Sequence, residues 1–365
     1  MKEFLEQYKL DAVLVHTPAN MRNISGFTGE GLVYVSKEDA WILTDSRYTI
    51  AAAKESRGFE VLEYKKNMQQ YLVEKIVKEH PELVEKTFRI GFEDAVMTVE
   101  TYRTLEALFE KMNLKQWELV PLHKKLDKMR RIKTPEEIES IKKAEKIGDE
   151  AFTKVTDWLT KCYREKTSVT EKQVAAHIEF YMRDAGAEGT SFDTIAASGS
   201  NSSLPHAMPQ PKLLTEGDFL TMDFGCMYQG YCSDMTRTIH IGEVVESEQK
   251  KVYDTVLQAQ LAALSVVKPG MVCSDVDKCA RDIIADAGYG DYFGHGLGHS
   301  VGLFIHEEPR FSMKCDAVLK PGVVITVEPG IYLPGRFGVR IEDMIVVTED
   351  GYQNLASSPK ELICV

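Results

Sequence analysis

No apolar run in this chain approaches the roughly 20 residues that a membrane-spanning helix needs. The opening MKEFLEQYKLDAVLV also lacks a basic stretch followed by an apolar one. Neither membrane insertion nor secretion is expected. The seven cysteines, at 162, 226, 232, 273, 279, 315 and 364, are odd in number, scattered, and include no Cys-x-x-Cys pair. Zinc ribbons and dithiol redox motifs therefore lack their signature, and the sequence places no activating base beside any thiol. We read reduced, mostly buried thiols and a cytoplasmic protein. Positive charge is also in deficit: 44 Lys and Arg against 56 Asp and Glu leave a net charge of −12. Such a surface repels phosphate backbones, so nucleic acid is not an expected partner. What remains is an ordinary globular composition, 44% hydrophobic and 27% charged over 365 residues, a length that suits two domains better than one.

Residues 1–121 alternate short β-type runs with helical patterns. The runs are 11–16, 31–35, 40–44, 59–64, 89–93 and 117–121, and helices fit at 69–80 and 98–111. Ser36 to Asp39 reads as a hairpin turn, and the whole as β/α layering around a mixed sheet. No glycine-rich phosphate loop follows these strands, so this part reads as a packing or substrate-gating domain. A basic stretch, HKKLDKMRRIK (123–133), breaks the pattern. Thr134, Pro135 and Glu137 then form a helix start with a capping box, proline standing where its missing N–H costs nothing. We expect an N-terminal domain over 1–121, a linker over 122–134 and a second domain over 135–365. The second domain should carry helices near 135–161, 170–185, 247–267 and 274–287 among a majority of strands.

The residues capable of chemistry cluster after position 200. In GDFLTMDFGCMYQGYCSDMTRTIHIG (217–242) two β-type runs meet in a turn. Centring it between Tyr228 and Gln229 sets Asp223 opposite Asp234. Opposed side chains on one sheet face lie about 5 Å apart, and two carboxylates so placed repel unless a cation separates them. Asp223 stands inside an apolar strand, which argues against mere turn capping. GHGLGHSVGLFIHEEP (294–309) holds His295, His299 and His306 in twelve residues. Its glycines exclude a helical zinc motif, the H-E-x-x-H glutamate is missing, and histidine or valine interrupts any G-x-G-x-x-G frame, leaving a glycine-hinged loop. Glu328 ends the apolar strand VVITVEPGIY (323–332), and Pro329 keeps it extended. In GVRIEDMIVV (338–347) alternation sets Arg340, Glu342 and Met344 on one face and Ile341, Asp343 and Ile345 on the other.

The candidates are thus four carboxylates and an imidazole: Asp223, Asp234, His299, Glu328 and Glu342. Four negative charges balance two divalent cations, whereas burying them without metal would raise their pKa values and destabilise the fold. Two cations about 3.5 to 4 Å apart are the arrangement of two-metal hydrolases, in which a bridging water becomes a hydroxide nucleophile. This donor set suits Mn²⁺ or Co²⁺, with zinc and iron as alternatives.

LPHAMP (204–209), DFG (223–225), SDMTRT (233–238), GHGLGHSVGLFIHE (294–307), EPG (328–330) and GVRIED (338–343) resemble bacterial aminopeptidase P and prolidase, the proline-specific metallopeptidases of the pita-bread fold. The resemblance extends over nearly the whole chain. It implies a creatinase-like N-terminal α/β domain ahead of a pita-bread catalytic domain, all five metal positions intact, and a homodimer acting on proline-containing dipeptides or short peptides. It further implies that the ligand Glu328 also accepts the proton of the nucleophilic water. His206, His295 and His306 would orient the substrate and stabilise or protonate the tetrahedral intermediate. Arg340 would orient a ligating carboxylate. Non-catalytic versions of the fold have lost ligands, so the complete set disfavours a peptide-binding module. The choice between dipeptides and longer peptides depends on whether the far end of the pocket binds a free carboxylate.

Overall fold

The computed structural model describes residues 1–243 and 245–365, and the chain divides into two compact units, Met1–Arg130 and Arg131–Val365. In the first, strands β1 (Ala12–Val15), β2 (Leu32–Ser36), β3 (Ala40–Thr44), β4 (Glu60–Glu63), β5 (Phe88–Phe92) and β6 (Trp117–Pro121) form one mixed sheet in the order β4-β3-β2-β1-β5-β6. Every β-type run expected from the sequence is a strand here, and β2 and β3 form the hairpin closed at Ser36 to Asp39. Helices α4 (Met68–Glu79) and α5 (Val99–Lys111) lie where periodicity sets them, capped by the side chains of Asn67 and Thr98. Helices α1 (Lys2–Tyr8), α2 (Pro18–Ser25) and α3 (Thr49–Glu55) were not anticipated. Each spans about two turns, too short for an apolar period to show, and tertiary packing stabilises them instead.

The second unit opens with the 30-residue helix α6 (Pro135–Arg164), whose capping box of Thr134 and Glu137 is formed. Helices α7 (Glu171–Asp184), α8 (Ser247–Val266) and α9 (Cys273–Asp286) complete its helical layer. The strands are β7 (Gly189–Thr190), β8 (Ile195–Ser198), β9 (Phe219–Phe224), β10 (Cys226–Tyr228), β11 (Tyr231–Cys232), β12 (Met235–His240), β13 (Gly298–Ser300), β14 (Glu307–Phe311), β15 (Val324–Val327), β16 (Gly330–Leu333), β17 (Phe337–Arg340), β18 (Asp343–Val347) and β19 (Tyr352–Asn354). They pair as β12-β9-β8, β11-β10-β7, β14-β13-β15-β18-β19 and β16-β17. Apolar side chains of α8 and α9, including Val252, Val256, Val276 and Ile284, pack with Ile325, Ile331, Val339 and Ile345 from the strands. A second core joins α6 and α7 to β9 and β12 through Phe152, Ile178, Met222 and Ile239.

Three expectations are corrected. The β9–β12 hairpin turns at Gln229 and Gly230, both at positive φ (48° and 69°), so its centre lies one residue later than the sequence reading set it. Two consecutive positive φ values match the right-handed twist of the flanking strands, and glycine takes the second without strain. Asp223 consequently pairs with Thr236, and Asp234 is its diagonal neighbour. The run 338–347 is two strands, because the chain leaves β17 at Ile341 and Glu342 before β18 begins. The segment 294–300 is not wholly a loop, since β13 carries His299 in a sheet.

Candidate functional site

Each acidic side chain of the site comes from the end or flank of a strand. Asp223 lies in β9 between Ile195 of β8 and Thr236 of β12. Thr236 and Thr238 of β12 connect to the later strands. The Thr236 hydroxyl donates to Glu342 Oε2 at 2.7 Å and accepts from Arg340 Nε at 3.0 Å, and the Thr238 hydroxyl donates to the Arg340 carbonyl at 2.9 Å. Glu342 is thereby fixed at the break between β17 and β18, where an uninterrupted ladder would have occupied its backbone differently. Its amide instead donates to the Thr236 carbonyl at 3.1 Å.

His299 sits in β13, with its amide donating to Thr326 Oγ1 at 3.0 Å. A Cβ at the preceding Gly298 would fall 2.0 Å from the Thr326 carbonyl oxygen, so only glycine lets β13 approach β15 this closely. The ring Nδ1 lies 3.3 Å from the Ser300 carbonyl, and Nε2 faces two carboxylates, 3.4 Å from Asp234 Oδ2 and 3.4 Å from Glu328 Oε1. With the proton on Nδ1, Nε2 keeps its lone pair for a ligand role. Burial lowers the pKa of this imidazole to about 3, aided by His306.

Asp234, His299 and Glu342 each offer a donor atom within 4.8 Å of the others. Burial raises the carboxyls of Asp234 and Glu342 well above the usual range, with Glu342, Asp223 and Glu328 adding repulsion at Asp234 and Glu328 and Asp223 at Glu342. Glu328 is pushed up to about 8, again chiefly by burial. Asp223 gives Oδ2 to Arg340 Nη2 at 2.6 Å. Its Oδ1, like Glu342 Oε1, is buried with no hydrogen-bond partner among the described residues. Orphaned buried carboxylate oxygens are rare because each costs free energy comparable to a lost hydrogen bond. Oxygens left bare in a cluster of four carboxyls and one imidazole suit hard divalent cations, so the residues present fit a metal pair.

All nine sequence candidates line one cavity of about 480 Å³: His206, Asp223, Asp234, His295, His299, His306, Glu328, Arg340 and Glu342. Arg340 reaches Asp223 with one nitrogen and the Tyr332 hydroxyl with another at 2.7 Å. His295 is engaged on both ring nitrogens, Nδ1 with the Gly296 carbonyl at 2.8 Å and Nε2 with Tyr332 Oη at 3.0 Å. Burial and the nearby Arg340 lower its pKa to about 4, so it is neutral near pH 7. Helix α9 holds the backbone beneath it, for Arg281, paired with Asp277, donates to the His295 carbonyl at 2.7 Å. The ring of His306 meets that of His299 edge to face at 4.5 Å.

Sequence reasoning missed Tyr332, Thr236 and Arg310. Tyr332 and Thr236 follow recognised motif residues by a few positions, but their alternation looks like that of any core strand. Arg310, which lines the cavity, carries no local signal at all.

Comparison with known proteins matches residues 139–349 to metallopeptidase family M24 and residues 1–132 to the creatinase/prolidase N-terminal domain. The chain is 39% identical over 368 residues to the Xaa-Pro dipeptidase of Pyrococcus furiosus, covering 99% of this chain and 97% of that protein. Among solved structures, the Xaa-Pro dipeptidase from Bacillus anthracis superposes with a TM-score of 0.91 at 38% identity, covering 100% and 98% of the two chains. The X-Pro aminopeptidase from Thermotoga maritima gives 0.86 at 37%, covering 99% of each. The expected fold, a creatinase-like α/β domain ahead of a pita-bread domain, is the one observed.

Proposed function

This chain belongs to metallopeptidase family M24, and from that premise we propose that it hydrolyses the Xaa-Pro bond of dipeptides, with Asp223, Asp234, His299, Glu328 and Glu342 holding two divalent cations, Mn²⁺ first among them. The observation that carries this reading is the convergence of four carboxyls and one imidazole on one cavity. Asp234, His299 and Glu342 offer donor atoms within 4.8 Å of one another, and Asp223 Oδ1 and Glu342 Oε1 are without partners among the described residues. When bound, such a cation pair would supply Lewis acidity, lowering the pKa of water in the site toward neutrality.

The chain's own residues do the rest. Glu328, whose Oε1 lies 3.4 Å from His299 Nε2 and accepts from Thr326 Oγ1 at 3.2 Å, is the ligand to which the likeness to prolidases gives the further task of accepting the water's proton. Arg340 holds Asp223 Oδ2 and so directs Oδ1 to the ligand side. A chain of donors runs from Arg340 to Tyr332, from Tyr332 to His295 Nε2, and from His295 Nδ1 to the Gly296 carbonyl. With both nitrogens engaged, His295 braces the wall, while His206 and His306 are left to orient the substrate and protonate the leaving nitrogen. A proline nitrogen has no N–H and leaves only if protonated, which is why a histidine-rich wall suits this bond. Phe192, Ile195 and Phe311 offer an apolar surface for the ring.

Arg310 supports the dipeptidase choice. Two guanidinium groups line the cavity, and with Arg340 committed to Asp223 and Tyr332, we assign a free proline carboxylate to Arg310, whose one ion-pair contact among the described residues, Nε to Glu308 Oε1, is a long 3.7 Å. Seven unpaired thiols, four of them buried, support a cytoplasmic site of action. A homodimer remains our assignment. Chelator-stripped protein should lose hydrolysis of Ala-Pro and regain it with Mn²⁺ or Co²⁺, and Ala-Pro should be cleaved faster than Ala-Pro-Ala. Full activity without metal would overturn the metal reading, and preference for the tripeptide would overturn the dipeptidase one.

A further inference from the structure

Just before helix α6 begins, Lys133 turns inward, its side chain 2% exposed, and its ammonium lies 3.2 Å from Glu307 Oε2 and 3.3 Å from Ser300 Oγ. Ser300 directly follows His299, and Glu307 directly follows His306. These two partners face each other where β13 pairs with β14, at a register shift between His299 and Ser300. They therefore close the loop 301–306, and one cation holds both of its ends. The other contacts of this group point the same way. Glu307 Oε1 accepts from the Phe304 amide inside the loop at 3.3 Å, and Ser300 Oγ donates to the Val324 carbonyl of β15 at 2.6 Å. The Lys133 backbone is itself fixed, its amide donating to the Gly322 carbonyl at 2.9 Å.

We infer that Lys133 is a positioning residue for the site, clamping the β13–β14 turn so that His299 and His306 keep their edge-to-face contact and their aim into the cavity. The inference rests on the function proposed above. A buried ammonium is costly, and a hydrophobic side chain of similar length would hold the fold at least as well. What it could not do is tie two strands through two specific acceptors, and small displacements of catalytic groups are expensive in rate.

Replacing Lys133 alone would strand Glu307 in the interior, so the deciding protein is the double variant Lys133→Met with Glu307→Gln. It removes both charges together, and the new amide oxygen can still accept from Phe304. We expect it to stay folded with a melting temperature near that of the parent. Its kcat on Ala-Pro should fall about tenfold to a hundredfold with KM little changed, and metal-free protein should bind Mn²⁺ about tenfold more weakly by calorimetry. A folded double variant with parental kcat and Mn²⁺ affinity overturns the inference, as does a rise in KM alone. Failure to fold overturns it too, since Lys133 would then serve the fold rather than the site. If the parent itself does not cleave Ala-Pro, the proposed function fails, and the Mn²⁺ titration then decides the clamp independently.

Discussion

Glu342 and Asp343 are consecutive, almost wholly inaccessible acids with opposite surroundings. Asp343 is surrounded by donors: Arg237 Nη2 at 2.7 Å, Lys360 Nζ at 2.6 Å, Asn354 Nδ2 at 2.8 Å and Gln260 Nε2 at 3.0 Å. Arg237 and Lys360 hold its pKa below the usual value despite burial. Glu342 has Thr236 on one oxygen and no partner among the described residues on the other, and burial, with the like charges of Glu328 and Asp223, drives its pKa well up. The N-terminal unit repeats the first case. There Glu93 accepts from the amides of His16 and Thr17 at 2.6 and 2.9 Å and from Asn20 Nδ2 at 2.6 Å. A buried carboxylate supplied with donors is part of the architecture. A bare oxygen is not enough by itself, since both oxygens of buried Glu145 also lack a partner among the described residues. What sets Glu342 apart is that it shares its cavity with the carboxyls of Asp223, Asp234 and Glu328 and the His299 imidazole, a set suited to a cation.

The sharpest way to break this contrast is to exchange the roles of the neighbours by mutation. Glu342→Ala should lower turnover by on the order of a thousandfold or more, the scale lost when a charge-stabilising group leaves an active site. Elemental analysis should show less metal per chain, yet the metal-free variant should unfold at higher denaturant than metal-free parent, because one repelling charge has gone. Asp343→Ala should do the reverse, costing about 3 to 5 kcal/mol of stability by stranding Arg237 and Lys360. Equal stability loss in both variants would remove the distinction.

A smaller effect should appear with pH in the metal-free protein. Carboxyls whose folded pKa exceeds the unfolded value contribute stability that is full below the unfolded pKa and is lost as pH rises through the folded one. Asp234, Glu328 and Glu342 are all raised, Glu328 to about 8. Below about pH 6.5 the buried imidazoles of His295 and His299, held neutral in the fold, oppose this trend, so metal-free protein should weaken from about pH 6.5 to above pH 8, while metal-loaded protein should not. Denaturant midpoints across that range, with and without Mn²⁺, test it; parallel curves would count against the cluster. The least effect should come from Glu93→Gln, about 1.5 to 3 kcal/mol from weakened charge-assisted hydrogen bonds, with metal content unchanged.

Much of this molecule was legible in the sequence where the governing physics is local. The capping box at Thr134 and Glu137, the β2–β3 hairpin and the helices α4 to α9 follow from periodicity and from donors a few residues apart. The short helices α1 to α3 did not, because two turns carry too little periodic signal. The hairpin between Asp223 and Asp234 was placed one residue early. The turn is set by which two residues accept positive φ, and Gln229 gives no hint that it does.

The acids and imidazole that gather in the cavity could be nominated from residue type and strand context alone. Their environments could not. Alternation along 338–347 treats Glu342 and Asp343 as opposite faces of one strand, whereas the chain breaks there and gives each its own surroundings. Arg340 meets Asp223 across 117 residues, Lys133 meets Glu307 across 174, and Tyr332 joins His295 to Arg340 through a single hydroxyl. The sequence by itself determined which segments coil, which extend, and which side chains carry charge or an imidazole, since those properties depend on neighbours within a few residues. Only the tertiary structure decided which carboxylates are satisfied and which are bare, because burial and donors at each acid come from strands far apart in the chain.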